Sequence, residues 1–266
     1  MLHFEQSGSA ENPPLLFLHG FMGINRDWSP VINQLSDQFH CIAVDLPGHG
    51  QSQFDDPALF SMPAAAGMVI ELLGYLEIDA VALVGYSMGG RLALYLAVHF
   101  PEHFTSLILE SASPGLRTAE ERQTRQKWDA SIAHKLETQP LPVFLDDWYA
   151  MPLFNTLRSH PNYGKVRQRR LANDPTQLAL SMRQMGTGSQ PSLWDEWVDL
   201  AVPTLLLAGE LDQKYVGISA EMHTLNPRAH RVIIPNAGHN THFEQNQAFS
   251  DEVGDWLLSR QGQSKT

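Results

Sequence analysis

The sequence predicts an α/β protein with a mostly parallel, doubly wound sheet and an inserted helical lid. Three observations lead there. Six short apolar runs end at turn or polar residues, segments of 3.6-residue periodicity lie between them, and the alternation stops after Ser111 and resumes near Pro203. The 266 residues are long for one minimal domain and short for two. At 43% hydrophobic and 18% charged they hold ordinary material for a globular core, and a chain of this size buries roughly 70–75% of its unfolded surface.

The strands come in order as Leu15–His19, Cys41–Asp45, Val81–Gly85, Ser106–Glu110, Thr204–Ala208 and Arg231–Pro235. Each is too short for a helix and apolar without strict alternation, the pattern of strands covered on both faces. Val69, Leu72, Leu73 and Leu76 share one helical face, as do Leu92, Tyr95 and Leu96, and then Phe249, Val253, Trp256 and Leu257. Right-handed crossovers then place the functional edge at the carboxyl ends of the strands. Helical patterns around Ala119–Glu137, Leu141–Trp148 and Pro175–Met185 fill the interruption without a convincing strand. The expected division is a core over 1–112 and 197–266 and a lid over 113–196.

Charge and cysteine content narrow the function classes. A formal charge of −11 argues against nucleic acid and against an anionic membrane surface, both of which reward a basic face. The amino terminus shows no basic stretch followed by an apolar one, and nowhere do 18 apolar residues run together. The one cysteine, Cys41, can form neither an internal disulfide nor a cysteine-based zinc site. A cytoplasmic protein without metal or cofactor is the expectation, its oligomeric state open. The charge is uneven: Gly115 to Gln190 carries eleven basic and seven acidic residues, the rest seven and 22. A solvated helical surface would explain the basic block as well as a site would.

Gly85-Tyr86-Ser87-Met88-Gly89 follows an apolar run and precedes a helical pattern. That is the setting of a nucleophile elbow, in which small residues let a strained turn project the serine oxygen above the sheet. An alcohol is a weak nucleophile and base near neutral pH and needs a partner. His239 falls just beyond the last expected strand and Asp212 just beyond the one before, giving the chain order Ser, Asp, His. Glu210 is the rival acid, placed to point the other way. The Phe21 and Met88 backbone amides are the candidate oxyanion donors. His19 is expected to brace the loop after its strand, and the turn-rich Asp45–Ser52 to be structural.

Together these motifs resemble the α/β-hydrolase superfamily across the whole sheet portion, with Ser87 excluding an aspartate-nucleophile dehalogenase. Further segments are more specific: Ser113 through Gln126, Gly85 through Arg91, Asp147-Trp148-Tyr149 followed by Pro152 and Phe154, Gly209 through Tyr215, and Ala237-Gly238-His239-Asn240-Thr241-His242. In combination they resemble the 2-succinyl-6-hydroxy-2,4-cyclohexadiene-1-carboxylate synthases of menaquinone and phylloquinone biosynthesis. Leu211 stands where that family is often basic, and Gln245-Asn246 where Asn-Pro is common.

The resemblance implies a lyase: an enolpyruvyl ether bearing three carboxylates loses a ring proton and then pyruvate, with the triad serine as base and no acyl-enzyme. It further implies carboxylate binding by Arg91, Arg125 and Arg170, since planar guanidinium forks suit carboxylates. A structural salt bridge is the competing reading for these arginines. Arg122 reads as an exposed helix charge. Tyr86 and Trp148 either line the ring pocket or pack the lid. Two alternatives remain open at this level, a serine esterase or carbon–carbon bond hydrolase of the same fold, and a non-catalytic ligand-binding relative.

Overall fold

The computed structural model describes residues 1–261. Among them seven strands form one sheet: β1 (Phe4–Ser7), β2 (Pro14–Leu18), β3 (His40–Val44), β4 (Val81–Tyr86), β5 (Phe104–Glu110), β6 (Thr204–Gly209) and β7 (His230–Ile234), in the spatial order β1-β3-β2-β4-β5-β6-β7. All six expected runs are strands, within two residues at each end. The seventh, β1, pairs antiparallel with β3 at the sheet edge, Phe4 opposite Val44, while every other pairing is parallel. Its sequence, Phe4-Glu5-Gln6-Ser7, carries no apolar run, because an edge strand is covered less than a central one.

Strand β2 lies between β3 and β4, so the chain reverses its direction of travel across the sheet at β2/β4. Ligand crevices in open α/β sheets form outside the carboxyl ends at such a reversal. The residues after β2 and β4 are His19–Gly23 and Ser87, the expected oxyanion loop and nucleophile. Both sheet faces are apolar because successive side chains alternate: Leu16 and Leu18 of β2 face one core, Leu15 and Phe17 the other.

Helix α1 (Ser29–Leu35) and α12 (Asn246–Gln261), which follows the short α11 (Thr241–Glu244), cover the second core with Val31, Leu35, Phe249, Val253 and Leu257. Helices α2 (Met62–Tyr75) and α3 (Met88–His99) cover the first, joined by Trp194 and Trp197 of α9 (Trp194–Asp199) and Met222 of α10 (Gln213–Leu225). The expected division between 196 and 197 therefore cuts through α9, whose two tryptophans both pack on the sheet side.

Five helices make the lid: α4 (Ala119–Thr138), α5 (Leu141–Tyr149), α6 (Asn155–Ser159), α7 (Tyr163–Arg170) and α8 (Pro175–Met185). Thr118 and Glu121 form a reciprocal cap at the start of α4, each side chain accepting from the other's amide at 3.1 and 2.9 Å. Asp174 caps α8 ahead of Pro175. Helix α4 buries only the stripe Asp129, Ile132, Ala133 and Leu136. The apolar members of that stripe meet Phe144, Leu145, Leu178, Ala179 and Met182 in a lid core that Met22, from the loop after β2, enters from the sheet side. The short α6 and α7 have few apolar residues and left little periodic signal.

Part of the basic block is a solvated, paired surface. Arg117 pairs with Glu221 and lies 3.7 Å over the Trp194 ring, Arg167 pairs with Asp146, and Arg183 pairs with Glu137. Such pairs contribute little each. Phe144, 1% exposed, is the large side chain at the centre of the lid core. Phe144→Ala is expected to destabilise the chain by about 3–5 kcal/mol, read as a lowered denaturant midpoint with an unchanged slope if lid and sheet unfold together.

Candidate active site

Ser87 sits between β4 and α3 with φ 50° and ψ −106°, a backbone conformation that side-chain-bearing residues rarely adopt. Two close approaches hold it there. A Cβ on Gly89 would lie 2.3 Å from the Leu18 carbonyl oxygen, and one on Gly85 would lie 2.5 Å from that of Gly89. The elbow therefore presses against β2 with no room for a side chain at either glycine. Of the five non-glycine residues at positive φ among the described residues, Met22, Ser87, Ser111 and Asn236 all follow strands at their carboxyl ends. Strain gathers on the edge that carries the site.

The expected Ser, Asp and His converge. His239 Nε2 lies 3.2 Å from Ser87 Oγ, and Asp212 Oδ2 lies 2.7 Å from His239 Nδ1. Asp212 and His239 are 6% and 3% exposed. With Nδ1–H donating to Asp212, Nε2 is left to accept the Ser87 proton. The rival Glu210 points away and accepts from the Asn236 amide at 3.0 Å.

His19 braces the loop after β2 as expected: Nδ1–H donates to the Gly20 carbonyl at 2.8 Å and Nε2 accepts from the Leu46 amide at 3.0 Å. Burial lowers its pKa, keeping the ring in the neutral form that has one donor and one acceptor. Phe21 and Met88 both line the cavity at this point. Met88 opens α3, so its amide belongs to the first turn, where no helix carbonyl can reach.

A cavity of about 330 Å³ lies between sheet edge and lid, and Ser87, His239 and every expected substrate-binding residue line it. Trp148 closes one side, edge-on to Phe21 at 5.3 Å. Tyr86 is buried, with ring centroids 5.4 Å from His239 and 4.9 Å from His242, and burial raises its hydroxyl pKa. Lys214, Tyr215 and Asn240 line it as well. Their sequence signal lay in adjacency to Asp212 and His239 and in the family-like segments that contain them.

The three arginines differ in their surroundings. Arg91 is 8% exposed, and its bonds go to neutral acceptors, the Met185 carbonyl at 2.9 Å and Gln190 Oε1 at 3.1 Å. Burial brings its pKa down to about 10; Tyr215 and Asp129 oppose that shift and neighbouring Arg125 adds to it. Lys214 is lowered too, by burial first and then by Arg125 and Arg91, partly offset by Asp212. Arg125 pairs with Asp129 at 2.7 Å and packs on Trp128. Arg170 is already occupied, with Nη1 2.6 Å from Asp27 Oδ2 and Nε donating to the Tyr149 hydroxyl at 3.2 Å. Asp27 also pairs with Arg169 at 2.8 Å. The expectation that Arg170 is simply a carboxylate binder thus meets a buried lid-to-core ion pair that the sequence separation of the partners concealed.

A serine–histidine–aspartate site at the carboxyl edge of such a sheet defines the class, and the alpha/beta hydrolase fold family matches residues 13–245. A 2-succinyl-6-hydroxy-2,4-cyclohexadiene-1-carboxylate synthase from Serratia proteamaculans is 34% identical, over 96% of each chain. A Bacillus subtilis protein provisionally given the same name is 37% identical over 95% of this chain and 93% of its own length. The solved structure of MenH from S. aureus superposes with a TM-score of 0.92 at 34% identity, covering 98% of this chain and 100% of that one. The chain belongs to the family of 2-succinyl-6-hydroxy-2,4-cyclohexadiene-1-carboxylate synthases within the alpha/beta hydrolase fold.

Burial alone would raise the Asp27 pKa, but the Arg170 and Arg169 guanidiniums together outweigh it and hold the carboxyl below its usual range. A carboxyl depressed in the folded state stabilises the fold above its unfolded pKa of about 3.9, and that contribution is lost as pH falls through the folded value. Asp27→Asn is expected to cost about 3–5 kcal/mol at neutral pH by stranding a buried guanidinium. Denaturant titrations of both proteins should show that gap narrowing below about pH 4.

Proposed function

We propose that this chain is a carbon–oxygen lyase converting 2-succinyl-5-enolpyruvyl-6-hydroxy-3-cyclohexene-1-carboxylate to 2-succinyl-6-hydroxy-2,4-cyclohexadiene-1-carboxylate and pyruvate, with Ser87, His239 and Asp212 as a base relay. The observation that carries this reading is the pairing of the relay with Arg91, a buried cation held only by neutral acceptors and facing the same cavity. A desolvated guanidinium without a counter-charge is costly, and a substrate carboxylate would relieve that cost. The mutual repulsion of Arg91, Arg125 and Lys214 makes the cavity a site that an anion completes. An apolar acyl pocket, which an esterase needs, would not gather these charges.

The proton to be removed is on the ring carbon that bears the succinyl ketone. Ser87 Oγ takes it while His239 Nε2 accepts the serine proton, and Asp212 stabilises the resulting imidazolium. Charge from the broken C–H bond develops on the ketone oxygen, where the Phe21 and Met88 amides would receive it. As the ring double bond shifts, the pair expels the enolpyruvyl oxygen, and the departing enolate takes a proton to become pyruvate. No bond forms to Ser87. Arg91 and Arg125 would hold carboxylates of the three-carboxylate substrate, with Arg170, tied to Asp27, presenting its remaining face to a third. The ring would lie between Tyr86 and Trp148. No metal or cofactor enters this scheme. The single buried thiol, Cys41, suits the reducing cytoplasm as its compartment.

Pyruvate release from the enolpyruvyl substrate, measured beside turnover of a simple aryl ester, tests the reading. Pyruvate should appear with wild type and fall by three orders of magnitude or more in Ser87→Ala; ester turnover without pyruvate overturns it. Arg125→Ala should raise KM for the tricarboxylate by about ten- to a hundredfold, the lower range for losing a carboxylate partner at a half-buried position, with little change in kcat. An unchanged KM returns Arg125 to its salt bridge with Asp129.

A further inference from the structure

Glu110, the last residue of β5, is fully buried and does not line the cavity. Its two ends hold different parts of the base relay. Its main-chain carbonyl accepts from the Ser87 amide at 2.9 Å, tying down the elbow. On the side chain, Oε1 accepts from the Thr241 hydroxyl at 2.6 Å and the His242 amide at 3.0 Å, and Oε2 accepts from His242 Nδ1–H at 2.7 Å. Thr241 and His242 are the second and third residues after His239. The His242 ring is in turn stacked on Trp28, centroids 4.2 Å apart, and lies edge-on to Tyr86. A second buried carboxylate, Glu244, accepts from the amides on either side of His239, Gly238 at 2.8 Å and Asn240 at 3.3 Å.

The Ser87–His239 contact, at 3.2 Å, is at the long end of a hydrogen bond, so proton transfer across it is sensitive to displacement of either partner. Nothing covalent within twenty residues links the elbow to the histidine loop. Among the described residues, Glu110 bonds both, the elbow by its main chain and the histidine loop by its side chain. Three donors converge on this one buried carboxylate and fix the loop along three directions at once.

We propose that Glu110 is a positioning residue that sets the separation and alignment of Ser87 and His239 by bonding the elbow through its main chain and the histidine loop through its side chain. It acts through those residues without touching substrate, so its loss should change the rate of proton transfer and leave binding alone. The inference rests on the base role of Ser87 proposed above. Two readouts separate the failures: pyruvate release, and the rate at which a fluorophosphonate captures Ser87. In that capture the serine oxygen bonds phosphorus, fluoride leaves and the proton passes to His239. If wild type shows neither reaction, the base role fails; if wild type reacts, the variants judge Glu110.

Three variants are compared. Glu110→Gln keeps an acceptor for Thr241 and the His242 amide, and its NH₂ can face a His242 Nδ1 switched to the acceptor tautomer, so both rates should stay within about fivefold of wild type. Glu110→Leu should lower kcat and the capture rate by about a hundredfold, the scale of an ångström-sized misplacement, with KM within twofold. Thr241→Val removes one donor and should lower both rates about tenfold, again at constant KM. Should Glu110→Leu not fold, Thr241→Val decides alone. Folded variants that react at the wild-type rate with only a lowered Tm, or that raise KM with kcat unchanged, overturn the proposal.

Discussion

The strained turn at Ser87 is the constraint on which the rest of the site depends. A residue at φ 50° and ψ −106° persists only if its surroundings over-determine it. The surroundings here are β4 paired on both sides, α3 packed back across the sheet, and glycines at 85 and 89 that let the elbow lie against the Leu18 carbonyl. That contact also fixes the loop after β2, where Phe21 and the His19 brace stand. One close approach thus sets the serine oxygen, the two candidate oxyanion amides and the depth of the cavity floor together. The parallel core explains why the turn holds: strands apolar on both faces leave it no route to relax without exposing Leu16, Leu18 or Leu83.

Charge is distributed in the opposite way to packing. The sheet portion carries the negative excess and the 115–190 segment the positive one, yet most lid arginines pair with carboxylates or carbonyls near the surface. Arg91, a buried cation with neutral hydrogen-bond partners, belongs to α3 and so to the core, one turn beyond Ser87. Its acceptors, Met185 and Gln190, come from the far end of the lid segment. The lid therefore holds the guanidinium by its carbonyl and amide oxygens, while its nearby carboxylate, Asp129, is already paired with Arg125, an arrangement that orients the fork and leaves it only partly neutralised. Asp27 does the converse for Arg170: it neutralises a lid cation from the core side and thereby fixes α7 over the cavity.

The six parallel strands were legible because burial on both faces forces continuous apolar runs, and Ser87, Asp212 and His239 were legible because the fold places such residues immediately after strands. Arg91 was legible from its helical spacing to Ser87 and from resemblance. What stayed hidden depends on long-range pairing. Asp27 reads as a helix-entrance acid, and only the folded chain brings it to Arg169 and Arg170 across more than 140 positions. Strand β1 offers no apolar run, and α7, with four basic residues in eight, carries almost no periodicity. Gln190 and Glu244 are ordinary polar letters until their partners are known.

Buried carboxylates around the histidine loop extend the same logic. Desolvating an acid is costly unless several donors meet it. Asp212, Glu110 and Glu244 are each met by side-chain or backbone N–H or O–H groups from residues 238–242 or from the start of α10. A loop of five residues thus receives three acids from three different elements, the turn after β6, the end of β5 and the short helix that follows His239. Removing solvent from such a set strengthens each bond and leaves the loop little freedom to shift as the imidazole gains and loses its proton. For a base that must reach a carbon-bound proton, where the acceptor is weak and the alignment narrow, a rigid histidine is worth more than a mobile one. The acids are accordingly placed to hold the loop, while across the cavity Arg91 keeps only neutral hydrogen-bond partners.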